Sequence, residues 1–128
     1  MKYTIIVQCP PSSTAIASSA LKFSEALLNA NHSIYRLFLY SDGVNLASQN
    51  TQQPQDEMDI YTLWKQFIHA HNIDTVVCIA AALKRGIIDD IEAKRYDLTS
   101  ITGEPYTLSG LGQLIEACAH SDRTITFA

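Results

Sequence analysis

An open α/β sheet, mainly parallel and with helices on both faces, is the fold class this sequence predicts. Three observations predict it. Short runs rich in β-branched residues alternate along the chain with segments of helical period. The helical segments are long enough to serve as the crossovers that parallel strands require. The length of 128 residues suits one domain spanning 1–128, large enough to bury one core without staples.

Each element follows from its residues. Tyr3 to Gln8 (YTIIVQ) reads as a first buried strand, ended by Cys9-Pro10-Pro11, because two prolines cannot continue a ladder. Thr14 to Ala30 carries apolar residues at 16, 20, 23 and 27 beside a row at 17, 21 and 28, the face of a helix. Ser33 to Tyr40 (SIYRLFLY) is the second strand, and Ser41-Asp42-Gly43 is a turn signal at its end. The polar stretch Gln49 to Gln55 reads as a solvated connector. Asp56 is placed to cap the next helix, whose buried face is Ile60, Leu63, Trp64, Phe67 and Ile68. Asp74 to Ile79 (DTVVCI) is the third strand. Ala80 to Gly86 fits either a helical turn or a tight loop, and Asp89 to Lys94 a short helix. Tyr106-Thr107 begins a fourth short strand or a loop. Ser109 to His120 is a helix with apolar positions 111, 114, 115 and 118, and Arg123 to Phe127 is the last strand. Right-handed crossovers then give a flavodoxin- or Rossmann-like layering. Such sheets place chemistry outside the carboxyl ends of their strands. That rim receives Gln8-Cys9, Tyr40-Ser41-Asp42 and Cys78-Ile79.

Composition narrows the function. Nine basic against thirteen acidic residues give a net charge of −4, a poor basis for direct binding to tRNA or other nucleic acid. The longest apolar run, Val76 to Leu83, is eight residues, too short to span a membrane. The amino terminus lacks the features of a signal peptide, and three cysteines, an odd number, suggest reduced thiols and a cytoplasmic setting. Gly110-Leu111-Gly112 begins a dinucleotide fingerprint, but Ile115 stands where its last glycine belongs. There is no Walker loop, no CxxC and no nucleophile elbow. His69 and His71, two apart on a helix, face different ways, so no metal site is expected.

The three cysteines differ in setting. Cys118 is spaced as a core residue of the last helix. Cys9 lies near the rim with nothing beside it to activate it. Cys78 closes the third strand. If the chain turns into a helix there, the thiol lies near unpaired N–H groups, which favour a thiolate. Lys84 and Arg85 add positive charge within one or two turns, and Ala80 to Ala82 leave room beside the sulfur. The spacing alone also fits an inert strand cysteine. A phosphatase loop is excluded: Lys84 stands where its arginine belongs, and the five residues between contain no glycine.

Several segments together resemble the DsrE/TusD-like family of small α/β sulfur-handling proteins. They are Ala17-Ser18-Ser19-Ala20, Phe38-Leu39-Tyr40-Ser41-Asp42-Gly43-Val44, and Val77-Cys78-Ile79-Ala80-Ala81-Ala82-Leu83-Lys84-Arg85-Gly86. Thr107-Leu108-Ser109-Gly110-Leu111-Gly112-Gln113-Leu114 and Asp122-Arg123 complete the match. The resemblance implies a sulfurtransferase with Cys78 as its catalytic residue, holding sulfur as a transient persulfide and needing no resident cofactor. It implies a relay towards 2-thiouridine at the wobble position of certain tRNAs. The partners it implies are TusB-like and TusC-like subunits in a hetero-oligomer, a TusA-type donor and a TusE-like acceptor. A DsrE-type role in sulfur oxidation and a non-catalytic structural subunit are the alternatives, and possession of Cys78 argues against the latter. Tyr40 and Asp42 are candidates for the pocket mouth, though Asp42-Gly43 also suits a plain turn. Ser109 is expected to cap the last long helix, with Gly110 and Gly112 allowing close backbone approach. Lys84 and Arg85 either tune Cys78 or are solvated.

Overall fold

The structure, a computed structural model, describes residues 1–128. Five parallel strands form one sheet in the order β4-β3-β2-β1-β5. They are β1 (Lys2–Val7), β2 (Ser33–Leu39), β3 (Thr75–Cys78), β4 (Thr107–Ser109) and β5 (Arg123–Phe127). β1, β2 and β3 lie inside the sheet, and their near-continuous apolar runs follow from burial on both faces. Ile5, Val7, Leu37, Phe38, Leu39 and Val77 are all fully or almost fully buried.

The helices are α1 (Thr14–Asn29), α2 (Ile60–His71), α3 (Ile79–Lys84), α4 (Asp90–Tyr96) and α5 (Gly112–His120). From β1 to β4 the chain steps across the sheet in one direction. From β4 to β5 it returns across the whole sheet. Right-handed crossovers therefore put α1 and α2 on one face and α5 on the other. The contacts agree. The Trp64 indole N–H of α2 donates to the Ala17 carbonyl of α1 at 3.1 Å, and Thr4 Oγ1 of β1 donates to the Ala117 carbonyl of α5 at 3.3 Å.

α1 buries Ala17, Ala20, Leu21, Ser24 and Leu27, while Ile16 is partly exposed. Its stripe thus lies between the two rows read from sequence. Ala17 and Ala20, fully buried, let the helix approach its neighbours closely. α2 is capped by Asp59, which accepts from the Thr62 N–H at 3.2 Å and from its hydroxyl at 2.6 Å. The expected cap, Asp56, lies upstream of the helix, because Pro54 to Asp59 forms turns rather than a first helical turn. Leu63 is 40% exposed, so the buried face of α2 is Ile60, Trp64, Phe67 and Ile68.

The largest departure is α5. It alone covers a wide sheet face, and Ala117 is its only fully buried residue. Leu111 and Ile115 are exposed, and Cys118 is exposed rather than a core residue. What ties α5 down is polar. Arg36 of β2, buried, donates to Asp74 through Nε at 2.9 Å and Nη2 at 2.7 Å. Its Nη1 donates to the Gln113 carbonyl at 2.8 Å and to Glu116 at 2.6 Å. The Tyr35 hydroxyl also donates to Glu116. Two carboxylates and a carbonyl thus satisfy one guanidinium, which a buried cation requires. No helix of the chain is long and apolar enough to cross a membrane.

Candidate active site

β3 runs directly into α3, with Cys78 as both the last strand residue and the cap position of the helix. The ambiguous segment after Cys78 is thus helical. Its alanines explain why: Ala80, Ala81 and Ala82 have high helix propensity and small volume at a sharp turn of the chain. The first N–H groups of a helix lack intrahelical acceptors, so Cys78 meets the donor-rich end of α3 without an intervening loop.

Cys78 itself is 2% exposed. It is nonetheless not sealed in hydrocarbon. It lines a cavity of about 330 Å³ together with Gln8, Tyr40, Ser41, Ala80, Ala81, Lys84, Arg85 and Leu111. These residues come from the carboxyl ends of β1, β2 and β3, from α3 and its C-cap Arg85, and from the cap position of α5. Lys84 and Leu111 are exposed, so the cavity reaches the surface. Of the rim expected from topology, Gln8, Tyr40, Ser41 and Cys78 line the cavity, while Cys9, Asp42 and Ile79 do not.

The two cations expected near Cys78 have different duties. Arg85 is engaged elsewhere: Nε and Nη2 donate to Asp42 Oδ1 at 3.0 and 2.9 Å, and Nη1 donates to the Ala81 carbonyl at 3.0 Å. Lys84 makes no ion pair and lines the cavity. It is the side chain that brings uncompensated positive charge to the site. Asp42 does not line the cavity. It lies in a 3-10 turn, Ser41–Ala47, and its pair with Arg85 joins that turn to α3. Tyr40 does line the cavity, as expected.

Ser109 has another place than the one read from sequence. It ends β4 and pairs with Cys78 in the β3–β4 register. The cap position of α5 is Leu111, which makes no side-chain capping bond. A Cβ added at Gly110 or Gly112 would meet nothing within 4 Å, so neither glycine permits a close approach.

The glycine that matters is Gly43. A Cβ there would stand 2.0 Å from the Val7 carbonyl oxygen and 2.7 Å from its carbon. Only glycine lets the 3-10 turn seat on the end of β1. The seat is fixed by Tyr40 N–H donating to the Val7 carbonyl at 3.0 Å and Gly43 N–H donating to the Tyr40 carbonyl at 2.9 Å. Ser41, between them, has φ of 52°, in the left-handed region that a non-glycine residue adopts at a cost. Tyr40 and Ser41, one wall of the cavity, are thereby held by backbone contacts. The strand-end turn was legible in sequence; the need for glycine was not, because it arises from a contact with a distant strand.

The other thiols stand apart. Cys9 is buried, and burial pushes its thiol up from the ordinary range. Cys118 is exposed on α5. Neither lines the cavity. No group of three or more His, Cys, Asp or Glu side chains is arranged to hold a metal ion.

Known proteins are similar to the chain in sequence and fold. The chain matches the DsrE/DsrF-like family over residues 1–127. It is 48% identical to a sulfurtransferase TusD homolog of Pseudomonas aeruginosa, over 99% of this chain and 97% of that protein. It is 44% identical to sulfurtransferase TusD of Salmonella typhi, over 99% of this chain and all of that protein. Its fold is similar to that of the YchN protein of E. coli, with a TM-score of 0.75 at 24% identity, covering 99% of this chain and all of the other. Matched along nearly its whole length in sequence and in fold, the chain belongs to the DsrE/DsrF-like family.

Proposed function

We propose that this chain is a sulfurtransferase that carries sulfur as a persulfide on Cys78. The observation that carries the reading is the cavity. Of three cysteines, Cys78 alone lines it, at the strand-end rim and beside the unpaired cation Lys84. The kinship with proteins named sulfurtransferase TusD supports the same reaction class.

The chemistry is two thiol exchanges. The Cys78 thiolate attacks the outer sulfur of a donor persulfide. A new S–S bond forms on Cys78, the donor's S–S bond breaks, and the donor leaves as a thiolate. An acceptor thiolate then attacks the outer sulfur on Cys78 and releases the Cys78 thiolate. Electrons and atoms balance without an added oxidant or reductant, so the residues need only present, shield and neutralise an anionic sulfur. Burial of Cys78 protects the carried sulfur, and Lys84 offsets its charge.

The relay we assign to it ends in 2-thiouridine at the tRNA wobble position. Its partners are TusB-like and TusC-like subunits in a cytoplasmic hetero-oligomer, with a TusA-type donor and a TusE-like acceptor. The net charge of −4 favours a place upstream of the step that touches RNA.

The test is loading from a cysteine-desulfurase-driven sulfur source, followed by intact mass. The wild type gains the mass of one sulfur, Cys9→Ser and Cys118→Ser gain it equally, and Cys78→Ser does not. Equal uptake by Cys78→Ser overturns the proposal.

A further inference from the structure

The walls of the Cys78 cavity hold a polar group that the reading above leaves unused. Gln8 follows β1, is half-buried and lines the cavity. Its backbone N–H is engaged, donating to the Phe127 carbonyl at 2.8 Å, but its side-chain amide makes no hydrogen bond within the chain. The thiol of Cys78 likewise has no hydrogen-bond partner within the chain. The amide and the sulfur thus share one cavity with no hydrogen bond between them.

A half-buried amide with no partner in the chain is left to water, and its donors are free to turn to a group that enters the cavity. The group the proposed reaction puts there is the outer sulfur of the persulfide. It stands about 2 Å beyond Sγ along the new S–S bond. Cys78 lines the cavity, which provides space for that added length. We infer that the Gln8 side-chain N–H donates to the outer, anionic sulfur on Cys78 and holds the carried sulfur in place. Gln8 is thus a substrate-binding residue for the persulfide, an inference that rests on Cys78 being the carrier.

Charge makes the role discriminating. The amide donates without adding charge, and Lys84 supplies the cation. A carboxylate at the same place would repel the anion, and a leucine of similar size would fill the wall without donating. A merely structural Gln8 would show no such order.

The experiment equilibrates the full-length chain with glutathione persulfide and measures the persulfidated fraction of Cys78 by intact mass. Variants are Gln8→Leu, Gln8→Glu and Gln8→Asn, with the melting temperature of each measured alongside. The inference predicts a loading constant reduced about tenfold in Gln8→Leu, the scale of one hydrogen bond to a charged group. It predicts a further reduction in Gln8→Glu, partial recovery in Gln8→Asn, and melting temperatures close to wild type. Loading of Gln8→Leu and Gln8→Glu equal to wild type overturns the assignment of Gln8 and leaves Cys78 as carrier. Absence of loading on wild-type Cys78 overturns the reading on which it rests.

Discussion

Replacing Gly43 by alanine removes the seat of the cavity wall, and the size of the effect can be worked from the contacts. The new Cβ would lie 2.0 Å from the Val7 carbonyl oxygen and 3.3 Å from Gln8 Cα, all backbone positions with no rotamer to yield. The 3-10 turn must lift by about 1 Å or more to restore ordinary separation. That lift stretches the Tyr40-to-Val7 and Gly43-to-Tyr40 hydrogen bonds. Overpacking of this kind costs about 1–3 kcal/mol, and two weakened hydrogen bonds add about 1–2 kcal/mol. A destabilisation of about 3 kcal/mol is expected, which for a domain of this size lowers the melting temperature by about 10 °C. Urea and thermal unfolding measure it, with Gly112→Ala as control. Gly112 has nothing within 4 Å of an added Cβ and opens α5, where alanine is the better helix former, so that variant should match or exceed wild type. A Gly43→Ala protein within about 1 kcal/mol of wild type would falsify the packing argument for this turn.

Other expectations follow from the same structure. Glu116 is held below the ordinary carboxylate range by the Tyr35 hydroxyl, then by Arg36. Its contribution is therefore present above the unfolded-state value, about 4.3, and is lost as pH falls through the lower folded-state value; Glu116→Gln should flatten the acid limb of the stability profile. Tyr35 is raised above the ordinary phenol range, chiefly by the same hydrogen bond. Its contribution is present below about 10 and lost as pH rises through the higher folded value, so chemical denaturation at alkaline pH should show a limb that Tyr35→Phe lacks. Trp64→Phe deletes the hydrogen bond to the Ala17 carbonyl and shrinks a buried ring, for a loss of about 2 kcal/mol in urea unfolding; an unchanged midpoint would contradict the α1–α2 docking described above. In alkylation of the folded chain, exposed Cys118 should react faster than Cys9, whose thiol is buried and pushed up, and equal rates would argue against the placement of Cys9.

Much of the fold is written in local pattern. The runs that became β1, β2 and β3 are apolar on both faces, so their identity does not depend on what they pack against. α5 shows the limit of that logic. Its apolar positions 111, 115 and 118 satisfy helical periodicity, yet they are exposed because no other part of the chain covers that side of the helix. Periodicity identifies an apolar side; it does not say whether enough neighbouring chain exists to cover it.

The site was legible in a similar measure. Cys78 could be singled out because a strand ended at a cysteine followed by small residues and cations. Which cation remains free could not, since the division between Lys84 and Arg85 is made by Asp42, forty-three positions away from Arg85. Ser109 misled for a local reason. A serine before a helical run reads as a cap, but the helix begins three residues later and the serine is spent in a strand beside Cys78. Gln8 was placed on the rim by topology, while the freedom of its amide is a property of the folded neighbourhood alone.

The central claim is that one particular sulfur atom carries the cargo. It is tested most directly by peptide mapping of the wild-type chain after desulfurase-driven loading, with the persulfide trapped by alkylation before digestion. The account predicts the trapped persulfide on the peptide containing Cys78, with those of Cys9 and Cys118 unmodified by sulfur. A persulfide found mainly on either of the other two peptides would contradict it.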